Sequence, residues 1–152
     1  MVDIEKIIRE YITKTVHMSL ATVKDNRPWV CEVHFAYDEN LNLYFISNPS
    51  TRHGQEIAEN PNVAGNIVRQ HEKSDLPHGI YFEGSAEIIE ASAEDVERYC
   101  RYLERDKAVV EEWLSSEGKN KMYKVIVSNW FAFGKFEEAL HKYELEWNGS
   151  SK

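Results

Sequence analysis

Residues 47–60, "SNPSTRHGQEIAEN", gather polar chemistry at what reads as the start of a short helix. Ser50 or Thr51 is a good N-cap, because its hydroxyl can accept from a free backbone N–H of the first turn. The next residues are Arg52 and His53, two cations where the partial positive charge of a helix N-terminus favours acids. An anion resolves the conflict. Free N–H donors, a guanidinium, an imidazole and the hydroxyls of Ser47, Ser50 and Thr51, next to Asn48, make a cage suited to phosphate. Gly54 adds no side chain and leaves room for a bulky ligand. The competing reading is a solvated helix end whose charges point into water.

The other chemistry-bearing residues are less organised. Of six histidines (His17, His34, His53, His71, His78, His141) none pairs at the close helical spacing of a zinc site, and His71 and His78 beside Asp75 make at most a casual metal site. Glu32 and His34 share one face of a strand, either as an acid–base pair or as a half-exposed surface. There is no G-x-S-x-G, P-loop or G-x-G-x-x-G, so nothing marks a hydrolase or a nucleotide-binding α/β protein. "NWFAFGKF" concentrates Trp130, Phe131, Phe133 and Phe136, which suits a core or the wall of a planar ring, with Trp130 expected at a pocket rim.

The elements that must position these residues follow from pattern. The 152 residues carry a net charge of −8 and a pI of about 5.3, which argues against nucleic-acid or anionic-membrane binding. No apolar run reaches a membrane span, and "MVDIEKIIREY" is amphipathic rather than a signal peptide. Cys31 and Cys100 read as reduced thiols of a cytoplasmic protein, a redox pair being the alternative. Asp3 caps a first helix whose Ile4, Ile7, Ile8, Tyr11 and Ile12 share a face. Strands are expected at 16–23, 29–38 and 43–47, joined by short turns as an antiparallel meander. The helix from Ser50 to Asn60 is stopped by Pro61. Strands at 62–68 and 80–90 contain Gly65 and Gly84, marks of a bulge or close backbone approach. A helix at 92–105 starts with a capping-box pattern, Ser92 and Asp95; a further short helix and a sixth strand, 121–136, complete one domain over 1–152. The tail "LHKYELEWN" alternates weakly. The sum is an α+β chain, an antiparallel barrel or strongly coiled sheet with helices across its ends.

In this order, "SLATV", "RPWVCEVHFAYD", "LYFIS", "STRH", "IAENPNVAGNI" and "GIYFEGSAEII" resemble the pyridoxamine 5′-phosphate oxidase-like family, the FMN-binding split barrels, over about residues 16 to 136. The resemblance implies a six-stranded antiparallel split barrel with helices at the N-terminus, after strand 3 and after strand 5. It implies a homodimer with FMN in grooves at the subunit interface. Thr51, Arg52 and His53 would hold the phosphate, with Ser50 and Asn48 counted among the cofactor-binding residues; Val30, Cys31, Glu32 and Val33 would run along the isoalloxazine ring by backbone groups. Ile46 and Ser47 would lie beside the flavin and Trp130 would cover it, with Trp29, Phe35 and Tyr37 completing an apolar slot. Two departures stand out: His53 where the family often has lysine, and "VCEVHF" where true oxidases carry Arg and Lys. The implied function is an FMN-dependent oxidoreductase or flavin reductase, with NADH or NADPH as donor and a small-molecule acceptor. The alternatives are an FMN carrier or redox sensor without turnover, haem or a deazaflavin on the same fold (His34 or His53 as haem ligand), and a dimer that has lost its cofactor.

Overall fold

The computed structural model describes residues 1–149, so 150–152 of the single-domain reading lie outside the described residues. Asp3 caps α1 (Ile4–Ile12) by accepting from Lys6 N, and the helix buries Ile8, Tyr11 and Ile12. β1 (His17–Lys24) and β2 (Arg27–His34) form a hairpin whose two turn residues, Asp25 and Asn26, both have positive φ. A two-residue turn of that hand matches the twist of the strands, and Asp and Asn tolerate it. β3 (Ala36–Tyr37), β4 (Leu43–Ser47), α2 (Arg52–Glu59), β5 (Asn62–Ile67) and β6 (Gly79–Ile89) follow. α3 (Ala93–Leu103) carries the expected Ser92/Asp95 capping box; α4 (Lys107–Leu114), β7 (Lys121–Lys135) and β8 (Leu140–Glu146) complete the order.

Among the described residues the sheet has eight strands rather than six, for two reasons. The expected strand at 29–38 breaks at Phe35, whose ring is fully buried and whose N–H bonds Val16 O instead of continuing a ladder. The weakly alternating tail becomes β8, paired with β7 from Asn129 to Lys135 and pinned by Trp147, whose indole donates to Asn40 O. Both short-turn hairpins of the expected meander form, β1 with β2 and β3 with β4, but the break at Phe35 separates them. Strand order is β2-β1-β5-β6-β7-β4-β3, with β8 on β7, so β2 and β4 are not neighbours. β2 and β3 lie at opposite ends of that path yet are consecutive in the chain, so the sheet has to coil until its ends meet at Phe35. Among the described residues it is not closed by hydrogen bonds: the outer edge of β2 has no strand partner there.

β7 divides its second edge, giving residues 121–125 to β4 and 129–135 to β8. The β6–β7 register shifts at Gly84, where a Cβ would lie 2.2 Å from Ile126 O, so the bulge needs glycine there. One apolar core fills the coil, from Met18, Leu20, Phe45 and Ile67 to Phe82 and Trp130; a second lies between the sheet and α3/α4. The described residues form four helices, one more than the three placed by the resemblance. No helix among the described residues is long and apolar enough to cross a membrane.

Candidate functional site

The chain leaves β4 at Ser47 and enters α2 through a turn organised by Asn48. Asn48 O accepts from Thr51 N and from the Thr51 hydroxyl, and Asn48 Oδ1 accepts from Ser50 N at 2.9 Å. Thr51, rather than Ser50, is the N-cap: its Oγ1 accepts from Gly54 N at 3.2 Å. The Thr51 proton is therefore committed to Asn48 O, and this hydroxyl cannot also donate to a ligand. What stays open is specific. Among the described residues, no acceptor meets the amides of Arg52 and His53 or the hydroxyl of Ser50. Gly54 has a different part from the expected one. Its missing side chain accommodates the Pro49 backbone, which a Cβ would approach to 2.7 Å, and does not clear space for a ligand.

Arg52 is held from two sides. Its Nε donates to Glu56 Oε1 at 3.0 Å, one helical turn on, and its guanidinium lies over the Trp29 ring at 4.2 Å. Glu56 is 5% exposed and accepts from the Thr22 hydroxyl on β1 at 2.5 Å. The Thr22 hydrogen bond, then Arg52, hold its carboxyl below the usual carboxylate range against the opposing effect of burial. Glu56 thus answers part of the electrostatic puzzle from inside the chain. Its i,i+4 spacing from Arg52 is readable in the sequence, but nothing local marks it as buried.

His53 Nε2 lies 2.7 Å from Ser47 Oγ and 3.2 Å from Thr51 Oγ1. With the Thr51 proton already placed, Thr51 can only accept, which favours the Nε2–H tautomer and leaves the Ser47 proton free to donate. Burial lowers the His53 pKa, so this imidazole is neutral at pH 7 and does not add a second charge to Arg52.

Ser47, Asn48, Ser50, Thr51, Arg52 and His53 are therefore brought together, and α2 sets Arg52 against β2 through Trp29. The remaining candidates spread out. Val30 points outward, 60% exposed, and lines a groove of about 560 Å³ on the outer sheet face with Ser19, Ala21, Tyr81 and Phe131. Glu32 also faces out, accepting from Ser19 and pairing with His17, while Cys31 and Val33 turn towards the core. Burial raises the Cys31 and Cys100 thiol pKa values, and both cysteines are free. The Ile46 side chain packs beneath α3 and α4. Trp130 is corrected outright: it is fully buried beside Phe82, not at a rim, because its β7 position faces the coil interior. Phe35 is buried too, and Tyr37 packs on Tyr102, so of the apolar slot only Trp29 is exposed near Arg52.

The His71/His78 pair is real as a contact, with ring centroids 3.8 Å apart and His78 hydrogen bonded to Tyr11. Among the described residues, no three His, Cys, Asp or Glu side chains are grouped to hold a metal ion. Burial, then the His71 and Arg69 charges, lower the His78 pKa. His53 and His78 give a signed expectation. Folded, both resist protonation; unfolded, both titrate near about 6.5. Just below that value the unfolded chain binds more protons, so stability is present above it and is lost as pH falls towards the folded pKa values. The urea midpoint should drop between pH 7 and 5.5, and His53→Gln should flatten part of the drop. A midpoint constant over that range would contradict the neutral, buried assignment. Glu56, whose pKa is also lowered, acts in a separate window below about 4.5.

The comparisons agree with this architecture. The family model for pyridoxamine 5′-phosphate oxidase matches residues 4–129. A UPF0306 protein of Photorhabdus laumondii is 28% identical over 99 residues, covering 63% of this chain and 69% of the relative. A haem-binding protein from Mycobacterium smegmatis superposes with a TM-score of 0.76 at 18% identity, covering 96% of this chain and 59% of that one. An FAD-binding protein from Mesorhizobium loti gives a TM-score of 0.65 at 16% identity over 83% of this chain and 89% of its own. At such identities the structural likeness is one of fold. The family match spans most of the described chain, including β4, the Asn48 turn and α2, and the chain belongs to the pyridoxamine 5′-phosphate oxidase family.

Proposed function

We infer that the protein binds FMN, with the phosphate at the start of α2 and the ring along the unpaired edge of β2. The observation that carries this is the open donor set: the Arg52 and His53 amides, the Ser50 hydroxyl and the terminal guanidinium nitrogens of Arg52, all without a protein acceptor among the described residues. Free donors at a helix N-terminus beside an arginine are matched by a phosphate. The β2 edge supplies the second requirement, since alternate residues of an edge strand turn both N–H and C=O away from the neighbouring strand. Trp29, 41% exposed and stacked on Arg52, links the two.

When bound, a flavin supplies hydride and electron transfer, and the chain's own part is binding and orientation. No side-chain acid or base is assigned. The site supports an FMN-dependent oxidoreductase or flavin reductase drawing on NADH or NADPH for a small acceptor. Exposed Val30, Ile88 and Ile126 support a homodimer with the flavin at its interface. A non-catalytic carrier uses the same site. Haem is favoured by the fold shared with a haem-binding protein and with a haem-storage protein. Against it, His53 Nε2 would have to leave Ser47 and Thr51 to reach iron.

The test is the purified protein's spectrum after incubation with FMN, and separately with haemin, followed by anaerobic NADH or NADPH. Flavin bands with a retained, saturable stoichiometry are expected. Bleaching by a nicotinamide selects the enzyme, and no bleaching selects the carrier. A Soret band with no flavin uptake would overturn the flavin reading.

A further inference from the structure

A buried carboxylate a single residue contact away from an anion site needs a reason. Glu56 removes one unit of positive charge from the cage, which by itself weakens binding of a phosphate. It is nevertheless 5% exposed, and the Thr22 hydroxyl, 34 residues earlier in the chain, holds it at 2.5 Å. Its bond to Arg52 takes Nε alone, and no other protein acceptor meets the guanidinium among the described residues. On the face of the guanidinium lies Trp29, which pairs with Thr22 across the β1–β2 ladder. One ladder position thus supplies both supports, Trp29 directly and Thr22 through Glu56.

We propose that Glu56 is a positioning residue for the phosphate site: anchored on Thr22, it fixes the Arg52 guanidinium against Trp29 so that its terminal nitrogens stay available to the ligand. This rests on the flavin reading above and adds a device to it. A long arginine side chain loses rotamer freedom when it is bound, and an arginine already fixed loses less. Thr22 does not belong to the phosphate-facing donor set, and its hydroxyl donates to Glu56, so loss of that hydroxyl acts on a ligand through Glu56.

The sign of the effect separates positioning from simple charge neutralisation. Thr22→Val keeps size and every charge but removes the anchor. It should weaken FMN binding about tenfold, as loss of an orienting partner does at a metal ligand. Riboflavin, which lacks the phosphate, should bind Thr22→Val as it binds the wild type, and Thr22→Ser should restore FMN affinity. Glu56→Ala removes the carboxylate: positioning requires weaker FMN binding, whereas a carboxylate that merely neutralises Arg52 requires tighter binding. If Glu56→Ala does not fold, the Thr22 pair still decides. Thr22→Val binding FMN like the wild type, or Glu56→Ala binding it more tightly, would overturn the positioning role while leaving the flavin site intact. A wild-type protein that takes up neither FMN nor inorganic phosphate overturns the flavin reading itself, and Glu56's role with it.

Discussion

Arg52→Ala should cost about 1.5–3 kcal/mol of FMN affinity, roughly 10- to 150-fold in Kd, the scale of a hydrogen bond to a charged group. The upper end is expected here. The substitution removes the cage's cation, and it also leaves the Glu56 carboxylate behind without its partner, facing the phosphate. Because His53 is held neutral by burial, no second cation takes over. Arg52→Lys should fall between wild type and alanine, since an ammonium keeps the charge but cannot reproduce the flat stack on Trp29 or the Nε bond. Riboflavin affinity is the control, and it should be unchanged. Isothermal titration with both ligands checks the pair; equal losses for FMN and riboflavin would place Arg52 against the ring instead of the phosphate, and no loss for either would remove it from the site. The buried imidazole also alters the pH dependence suggested by a charged His53. With the His53 pKa lowered by burial, any tightening of FMN binding that comes from its protonation is displaced to more acid pH than an ordinary histidine would give.

The start of α2 was legible because capping chemistry is local: a hydroxyl, a turn and three residues decide it. Thr51 caps the helix, and Ser47 to His53 converge as the spacing implied. The non-local partners were not legible. Thr22 and Glu56 are 34 positions apart, and no period connects a strand threonine with a helix glutamate. The break at Phe35 was hidden for a related reason. Alternation runs straight through "WVCEVHFAYD", and only the coiling of the sheet, which brings Val16 O to the Phe35 amide, ends the ladder there. β8 was hidden because most of its residues are exposed and it is held by backbone pairing, which leaves little hydrophobic pattern. Trp130 shows the opposite limit. An aromatic cluster announces burial of rings, but whether a given ring faces a core or a ligand depends on strand parity and on the bulge at Gly84.

Trp130→Ala should therefore act on stability, not on flavin affinity. The side chain is 0% exposed, stands opposite Phe82 in the β6–β7 register and packs on its ring at 5.6 Å. Removing a buried tryptophan opens a cavity that the two strands cannot collapse, and such truncations cost about 3–5 kcal/mol. For a chain of this length that is roughly 6–20 °C in Tm. Trp130→Phe should cost much less. It keeps an aromatic body against Phe82 and removes Nε1, a buried donor with no hydrogen-bond partner among the described residues, whose desolvation opposes folding. The two substitutions separate the core reading from the rim reading of this residue. A ring-covering indole would show the reverse pattern, with weaker FMN binding, an almost unchanged Tm, and alanine and phenylalanine differing mainly in Kd. Measuring Tm and FMN affinity on both variants at one protein concentration decides it, because an interfacial residue would also make Tm depend on concentration. A Tm within about 2 °C of wild type for Trp130→Ala would put the indole back beside the ligand. It would also require β7 to be rotated by one residue in the sheet, exchanging every side chain between the core and the outer face.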